Sequence, residues 1–262
     1  MDWRAFPGST PCAAPKAAST YHQEAQEFSI HSTHNRSARA ATHIAAIACA
    51  ISFCGSFAHA APHVKPSLAA ASPCQVVVVG YTGGLETATT SASGVVWIRD
   101  RLRTLKVPNL CVHTFSAYNW PHGYRWVRQQ FGAQDDAQLT PDAIRNGPKV
   151  VIYGHSFGGW ATVSLARRLQ RAGIPIEMTV QVDSIGITDR TLPPNVRESA
   201  NFYERNTEIL HARGTIHAQD PLRTRILENV HLLHGNHYTV SRNPQISDLI
   251  VGKVLALYGA PE

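Results

Sequence analysis

Apolar residues along this chain fall into two alternating kinds of stretch. Short continuous runs, 75–79 (Q-V-V-V-V), 110–115 (L-C-V-H-T-F), 149–153 (K-V-V-I-Y) and 177–182 (E-M-T-V-Q-V), are rich in β-branched residues and most are flanked by Gly, Pro or Asn. Runs of this kind read as strands buried on both faces, the pattern of a parallel sheet. A last run at 229–234 reads the same way. Between them lie stretches with helical spacing. Residues 94–105 carry Val95, Val96, Ile98, Leu102 and Leu105, and 246–258 carry Ile246, Leu249, Ile250, Val254 and Leu257. In 160–171, Ala161, Leu165 and Leu169 form one i, i+4 row, with Arg167, Arg168 and Arg171 off it and Gly173 placed to end the helix. A short helix at 141–145 leads into the third strand. The alternation predicts an α/β protein with a mostly parallel central sheet and helices on both faces.

Two stretches carry no clear period. Residues 116–126 hold Tyr118, Trp120, Tyr124 and Trp126 and read as a loop, either lining a pocket or packing around a turn. Residues 192–218, with Pro193-Pro194 and N-F-Y-E-R at 201–205, read as an irregular segment, either a cap facing the substrate or a connection.

The N-terminal quarter differs in composition. Residues 1–38 are polar and irregular. Arg36-Ser-Ala-Arg39 is followed by an apolar run at 44–57 and by A-H-A-A-P at 58–62, the layout of a secretory signal peptide ending near Ala60. Its apolar run is short for a transmembrane helix. A helix packed on the domain, or lipid attachment at Cys49 or Cys54, are the weaker readings. A Pro- and Ala-rich tether occupies 62–72, and a single domain covers 73–262, the leader being 1–61. The chain carries a formal charge of +6. Its basic residues are scattered, without an aromatic-interleaved stripe, which argues against nucleic-acid binding and fits a surface tolerant of anionic neighbours. Beyond the leader only Cys74 and Cys111 remain, an even count of the kind found in secreted domains.

Chemistry concentrates at Gly154-His155-Ser156-Phe157-Gly158, a G-x-S-x-G pentapeptide between a predicted strand and a predicted helix. A strand that turns abruptly into a helix lifts the central serine above the sheet, and the N–H of Phe157, at the helix start, points where an oxyanion would form. This stretch resembles the nucleophile elbow of the α/β-hydrolase family, and the order of elements from about residue 74 onward is similar to that fold. The resemblance implies an enzyme acting on ester bonds, a lipase- or esterase-like serine hydrolase that needs no cofactor and no metal. It places the second oxyanion donor at Tyr81 or Thr82, after the first strand, and makes the strands holding Cys74 and Cys111 parallel neighbours, so that the two sulfurs are level and form a disulfide; two buried free thiols are the alternative.

By the same resemblance the triad is Ser156, Asp183 and His237, in the family's chain order. Asp183 ends a strand, with Asp220 and Asp189 as rivals. His237 lies between the last strand and the last helix, with His234 as its rival. His155, Tyr118 and Trp120 are candidates to line the substrate. A metal held by His231, His234 and His237 is disfavoured, because residues three apart on a strand face opposite ways. Acyl transfer, thioester hydrolysis and a non-catalytic, binding use of the fold remain as alternatives. The expected partner is a small-molecule or lipid ester.

Overall fold

The computed structural model describes residues 74–134, 137–207, 212 and 214–259. The leader, its cleavage site and the tether lie outside the described residues.

Val76–Thr82 (β1) is buried along its whole length, as four consecutive valines require of a central strand. Gly94–Thr104 (α1) leads to Leu110–Ser116 (β2), then to Trp120–Gln130 (α2) and Pro141–Arg145 (α3). Lys149–His155 (β3) enters Phe157–Arg171 (α4) with Ser156 alone between them, and Ile176–Val182 (β4) follows. Thr191–Leu192 (β5), Val196–Tyr203 (β6), His217–Ala218 (β7), Arg225–His231 (β8) and Pro244–Gly259 (α5) complete the order. Six strands form one sheet in the order β2-β1-β3-β4-β6-β8, every neighbour parallel; β5 and β7 make a small separate pair.

Each face of the sheet has its own core, because alternate residues of a strand point opposite ways. Val77, Val79, Val150 and Ile152 pack with Val127 of α2 and Leu165 and Leu169 of α4. Val76, Val78, Val151 and Val180 pack with Ile98 and Leu102 of α1 and Ile246, Ile250 and Val254 of α5. Helices therefore cover both faces, as expected. Among the described residues, no helix is long and apolar enough to cross a membrane.

Cys74 and Cys111 are joined by a disulfide, with Cα atoms 5.7 Å apart. Val77 of β1 is level with Cys111 of β2, so the bridge staples the start of β1 to its parallel neighbour.

Three expectations change. The aromatic stretch after β2 is not a loop but most of α2. Pro121 sits in its first turn, and Trp120, Tyr124 and Trp126 pack against the core. Gly123 is needed there because a Cβ would lie 2.0 Å from the Tyr81 hydroxyl oxygen. Part of the segment 192–218 is regular and no cap, for Val196–Tyr203 is β6, an inner strand of the main sheet. Its polar residues are paired: Glu198 with Lys253 at 2.9 Å and with Arg225, Ser199 with Thr179 at 2.8 Å, and Asn201 with the Gly214 carbonyl at 3.0 Å. Burial raises the Glu198 carboxyl, but the bonds from Lys253 and Arg225 outweigh it and hold it below the usual carboxylate range. Finally, the last strand is Arg225–His231, so Leu233 and His234 belong to the exposed loop that follows.

Candidate active site

The centre of the site is the turn from β3 into α4. Ser156 has φ 58° and ψ −126°, a backbone conformation that L-residues rarely adopt and that costs on the order of 1–3 kcal/mol. Its neighbours enforce it. The Ser156 N–H donates to the Val182 carbonyl (3.0 Å), and its own carbonyl accepts from Ile185 (3.1 Å) and Gly159 (2.9 Å). The flanking glycines make the turn tight: a Cβ on Gly154 would lie 2.1 Å from the Gly158 carbonyl oxygen, and one on Gly158 would lie 2.1 Å from that of Tyr81. No side chain other than hydrogen fits either position.

The end of β4 brings the acid. Asp183 is wholly buried and itself has positive φ, 43°. Its Oδ1 accepts the N–H groups of Glu204 (3.2 Å) and Ala212 (3.0 Å). Its Oδ2 accepts from His237 Nδ1 at 2.6 Å. Burial raises the Asp183 carboxyl, but these three hydrogen bonds and the nearby imidazole outweigh it, so it stays below the usual carboxylate range.

The loop after β8 brings the imidazole. With Nδ1–H donating to Asp183, His237 Nε2 is the acceptor for Ser156 Oγ–H, 2.9 Å away. The His237 backbone N–H donates to Thr207 Oγ1 (2.9 Å), and its carbonyl accepts from His155 Nε2–H (2.7 Å). Asn206, just after β6, donates from Nδ2 to the carbonyls of Leu233 and Gly235, tying down the same loop. Serine, imidazole and carboxylate thus form one buried hydrogen-bonded chain drawn from three strand ends. Such a chain can deprotonate the hydroxyl and hold the resulting imidazolium against a fixed negative charge. The fold is the α/β-hydrolase fold.

The rival residues of this hydrolase fold lie elsewhere. Asp220 accepts from Leu222 N–H in a local turn, Asp189 accepts from Ser184 Oγ, and His234 is exposed. The oxyanion candidates sit close to Ser156. Phe157 is the first residue of α4, where an N–H has no partner within the helix. Tyr81 and Thr82 end β1, against Gly158. Gly83 follows them, so near that a Cβ there would stand 3.5 Å from Ser156 Cβ; its N–H donates to Glu86 Oε2 at 2.9 Å, which closes the turn.

Of the three residues expected to line the substrate, Tyr118 is exposed and Trp120 half-buried. Trp120 packs toward the core, and His155 is buried beneath His237 with the ring centroids 4.8 Å apart. It cannot face the open side, because its Nε2–H points at the His237 carbonyl. Leu85, Tyr118, Phe157, Ile187 and Tyr238 are exposed, and all come from segments touching the site. The Tyr118 and Phe157 rings lie 6.4 Å apart, and Tyr238 meets the His237 ring edge-on at 5.6 Å. Glu86, Thr207 and Glu204 went unnoticed in the sequence. Glu86 acts through its carboxylate, Thr207 through its hydroxyl and Glu204 through its backbone N–H, each at a turn, which leaves no motif. Asp183, Glu204 and His237 bring potential metal-ligand atoms within 4.8 Å of one another. Both oxygens of Asp183 and both nitrogens of His237 are already engaged in hydrogen bonds.

No protein-family model matches the chain, and no curated protein matches it. Among solved structures it is similar to the RedJ thioesterase from the prodiginine biosynthetic pathway in Streptomyces coelicolor, at 11% identity over 70% of this chain and 86% of that one, TM-score 0.41. It is also similar to the NocB thioesterase domain from the nocardicin cluster, at 13% over 71% and 95%, TM-score 0.42. A cutinase-like protein from Cryptococcus sp. is a third, at 12% over 73% and 99%, TM-score 0.40. Identities of this size describe a likeness of fold alone.

Proposed function

We propose that the protein is a secreted serine hydrolase that cleaves carboxylic ester bonds through an acyl-enzyme. The observation that carries this reading is the unbroken chain from Ser156 Oγ through both nitrogens of His237 to Asp183 Oδ2, at 2.9 and 2.6 Å. Ser156 Oγ attacks the carbonyl carbon while His237 Nε2 takes the hydroxyl proton. The tetrahedral oxyanion is held by Phe157 N–H and a backbone N–H at Tyr81 or Thr82. The intermediate collapses, the ester C–O bond breaks, and the alkoxide leaves with the proton from His237. Water, deprotonated by the same nitrogen, then attacks the acyl-enzyme and releases the acid. Asp183 keeps Nδ1 protonated and stabilises the imidazolium in both halves.

The surroundings favour a neutral acyl ester. Residues 83–85, 116–120, 157, 185–188 and 235–238, which border Ser156, include no Asp, Glu, Lys or Arg. Their exposed side chains are largely apolar. Among these described residues a substrate carrying several phosphates would find no Lys or Arg. Secretion is supported by the basic flank at Arg36 and Arg39, the apolar run, and the small residues ending at Ala60, and the Cys74–Cys111 bond suits an oxidising compartment.

The test is Ser156→Ala in otherwise intact protein. Hydrolysis of p-nitrophenyl butyrate and labelling by a fluorophosphonate should both vanish while the thermal unfolding profile is kept. Full-rate labelling of the variant would refute the assignment.

A further inference from the structure

Directly under the triad lies a second imidazole that the mechanism does not use. His155 is 4% exposed, and its Nε2–H is 2.7 Å from the carbonyl oxygen of the residue that bears the base. Among the described residues no other donor reaches that carbonyl. The other nitrogen, Nδ1, is buried without a hydrogen-bond partner, facing Gly83, where a Cβ would lie 3.6 Å away. A buried acceptor left unpaired costs stability. An apolar side chain of the same size would fill the space without that cost, so packing alone does not account for an imidazole here.

The bonds of His237 show what it gains. Its ring is engaged at both nitrogens, and its N–H is held by Thr207. The carbonyl is the one remaining backbone group, and His155 holds it. With both ends of the residue fixed, the ring has a single approach to Ser156. We propose that His155 is a positioning residue, whose neutral Nε2–H holds the loop after β8 so that His237 Nε2 meets Ser156 Oγ. The groups facing it are His237 from that loop, Glu86 from the loop after β1, and Asp183 from the end of β4. Burial and His237 outweigh the two carboxylates and keep His155 below the ordinary histidine range, so it remains a neutral donor. The proposal rests on the Ser156–His237–Asp183 reading.

The test compares His155→Leu, which fills the space without a donor, with His155→Gln, whose amide nitrogen lies as many bonds from Cβ as Nε2 does. Measured are kcat and KM on p-nitrophenyl butyrate, the rate of fluorophosphonate labelling, and thermal unfolding. Misplacing a reacting group by about an ångström costs up to about 10² in rate, so H155L should lose about 10- to 100-fold in kcat and in labelling rate, with KM within about threefold of wild type. H155Q should recover to within about fivefold of wild type. Equal impairment of the two variants, or an H155L kcat within twofold of wild type, would overturn the proposal. Should H155L fail to fold, His155→Asn, one methylene too short to reach the carbonyl, replaces it; an H155N as active as H155Q would be equally fatal. Wild-type protein that does not label removes the triad reading and this proposal together, whereas H155L labelling at the wild-type rate removes this proposal alone.

Discussion

Gly154→Ala puts the elbow's geometry to a quantitative test. The new Cβ would stand 2.1 Å from the Gly158 carbonyl oxygen and 2.7 Å from Thr162 Oγ1. Comfortable carbon–oxygen contact is more than an ångström longer, and the closest obstacle is backbone, which cannot rotate away. The first turn of α4 must therefore shift off β3 by about an ångström. Forcing atoms into a packed site costs about 1–3 kcal/mol, and a backbone-to-backbone clash belongs at the upper end. For a domain of this size that lowers Tm by about 6–12 °C. The same shift displaces Phe157 N–H and Ser156 Oγ relative to His237, so kcat/KM should fall about 100-fold beyond any loss of folded protein. Gly252→Ala is the control. It lies in α5 with nothing within 4 Å of its Cβ position, and alanine in a helix is favoured over glycine by about 0.5–1 kcal/mol, so Tm should rise by about 1–4 °C with activity unchanged. The assays are calorimetry and steady-state hydrolysis of p-nitrophenyl butyrate. G154A with its Tm lowered as expected but kcat/KM within threefold of wild type would refute the claim that the contact between strand and helix sets the reactivity of the serine.

Two further outcomes follow from buried groups and from the bridge. His155 is held below the ordinary histidine value of about 6.5, so the unfolded chain binds a proton there that the folded chain refuses; stability should fall as pH drops from about 6.5 through the folded value, at up to about 1.4 kcal/mol per pH unit. Asp183, whose folded value is depressed, contributes stability present above about pH 3.9 and lost as pH falls through its folded value, a second, more acidic window of the same sign. His113, exposed but lowered by partial desolvation and by Arg103 and Arg99, acts weakly in the same direction as His155, so H155Q should flatten most of the upper window in a Tm-versus-pH series; identical series would contradict the assignment. Removing the Cys74–Cys111 bond, which closes a loop with a sequence separation of 37 residues, should cost about 3–4 kcal/mol and lower Tm by about 10 °C, read by calorimetry of the double serine variant.

Strands and helices that bury themselves by local pattern could be read from the chain: Val76–Val79 and Val150–Ile152 are apolar enough to announce inner strands, and Ala161, Leu165 and Leu169 announce the face of α4. What escaped is what depends on distant partners. β6, V-R-E-S-A-N-F-Y, is an inner strand whose Glu198, Ser199 and Asn201 are satisfied by Lys253, Arg225, Thr179 and Gly214, none of them near in sequence. α2 was hidden by Pro121 and Gly123, the first acceptable in an opening turn and the second required by the Tyr81 hydroxyl. In the site, Ser156, Asp183 and His237 stand at strand ends and loops where chain order points to them. The residues that hold them do so through hydrogen bonds in which one partner is a main-chain atom. His155, read as a wall of the binding site, is buried with its Nε2–H on the His237 carbonyl.

Two amide groups eight positions apart in the chain, at 204 and 212, converge on a single oxygen of Asp183. The carboxylate is therefore a clasp that fastens both positions at one point. Asn206 and Thr207, two and three positions after the first of these amides, grip the loop that bears His237, so the point that anchors the acid also steadies the mooring of the base.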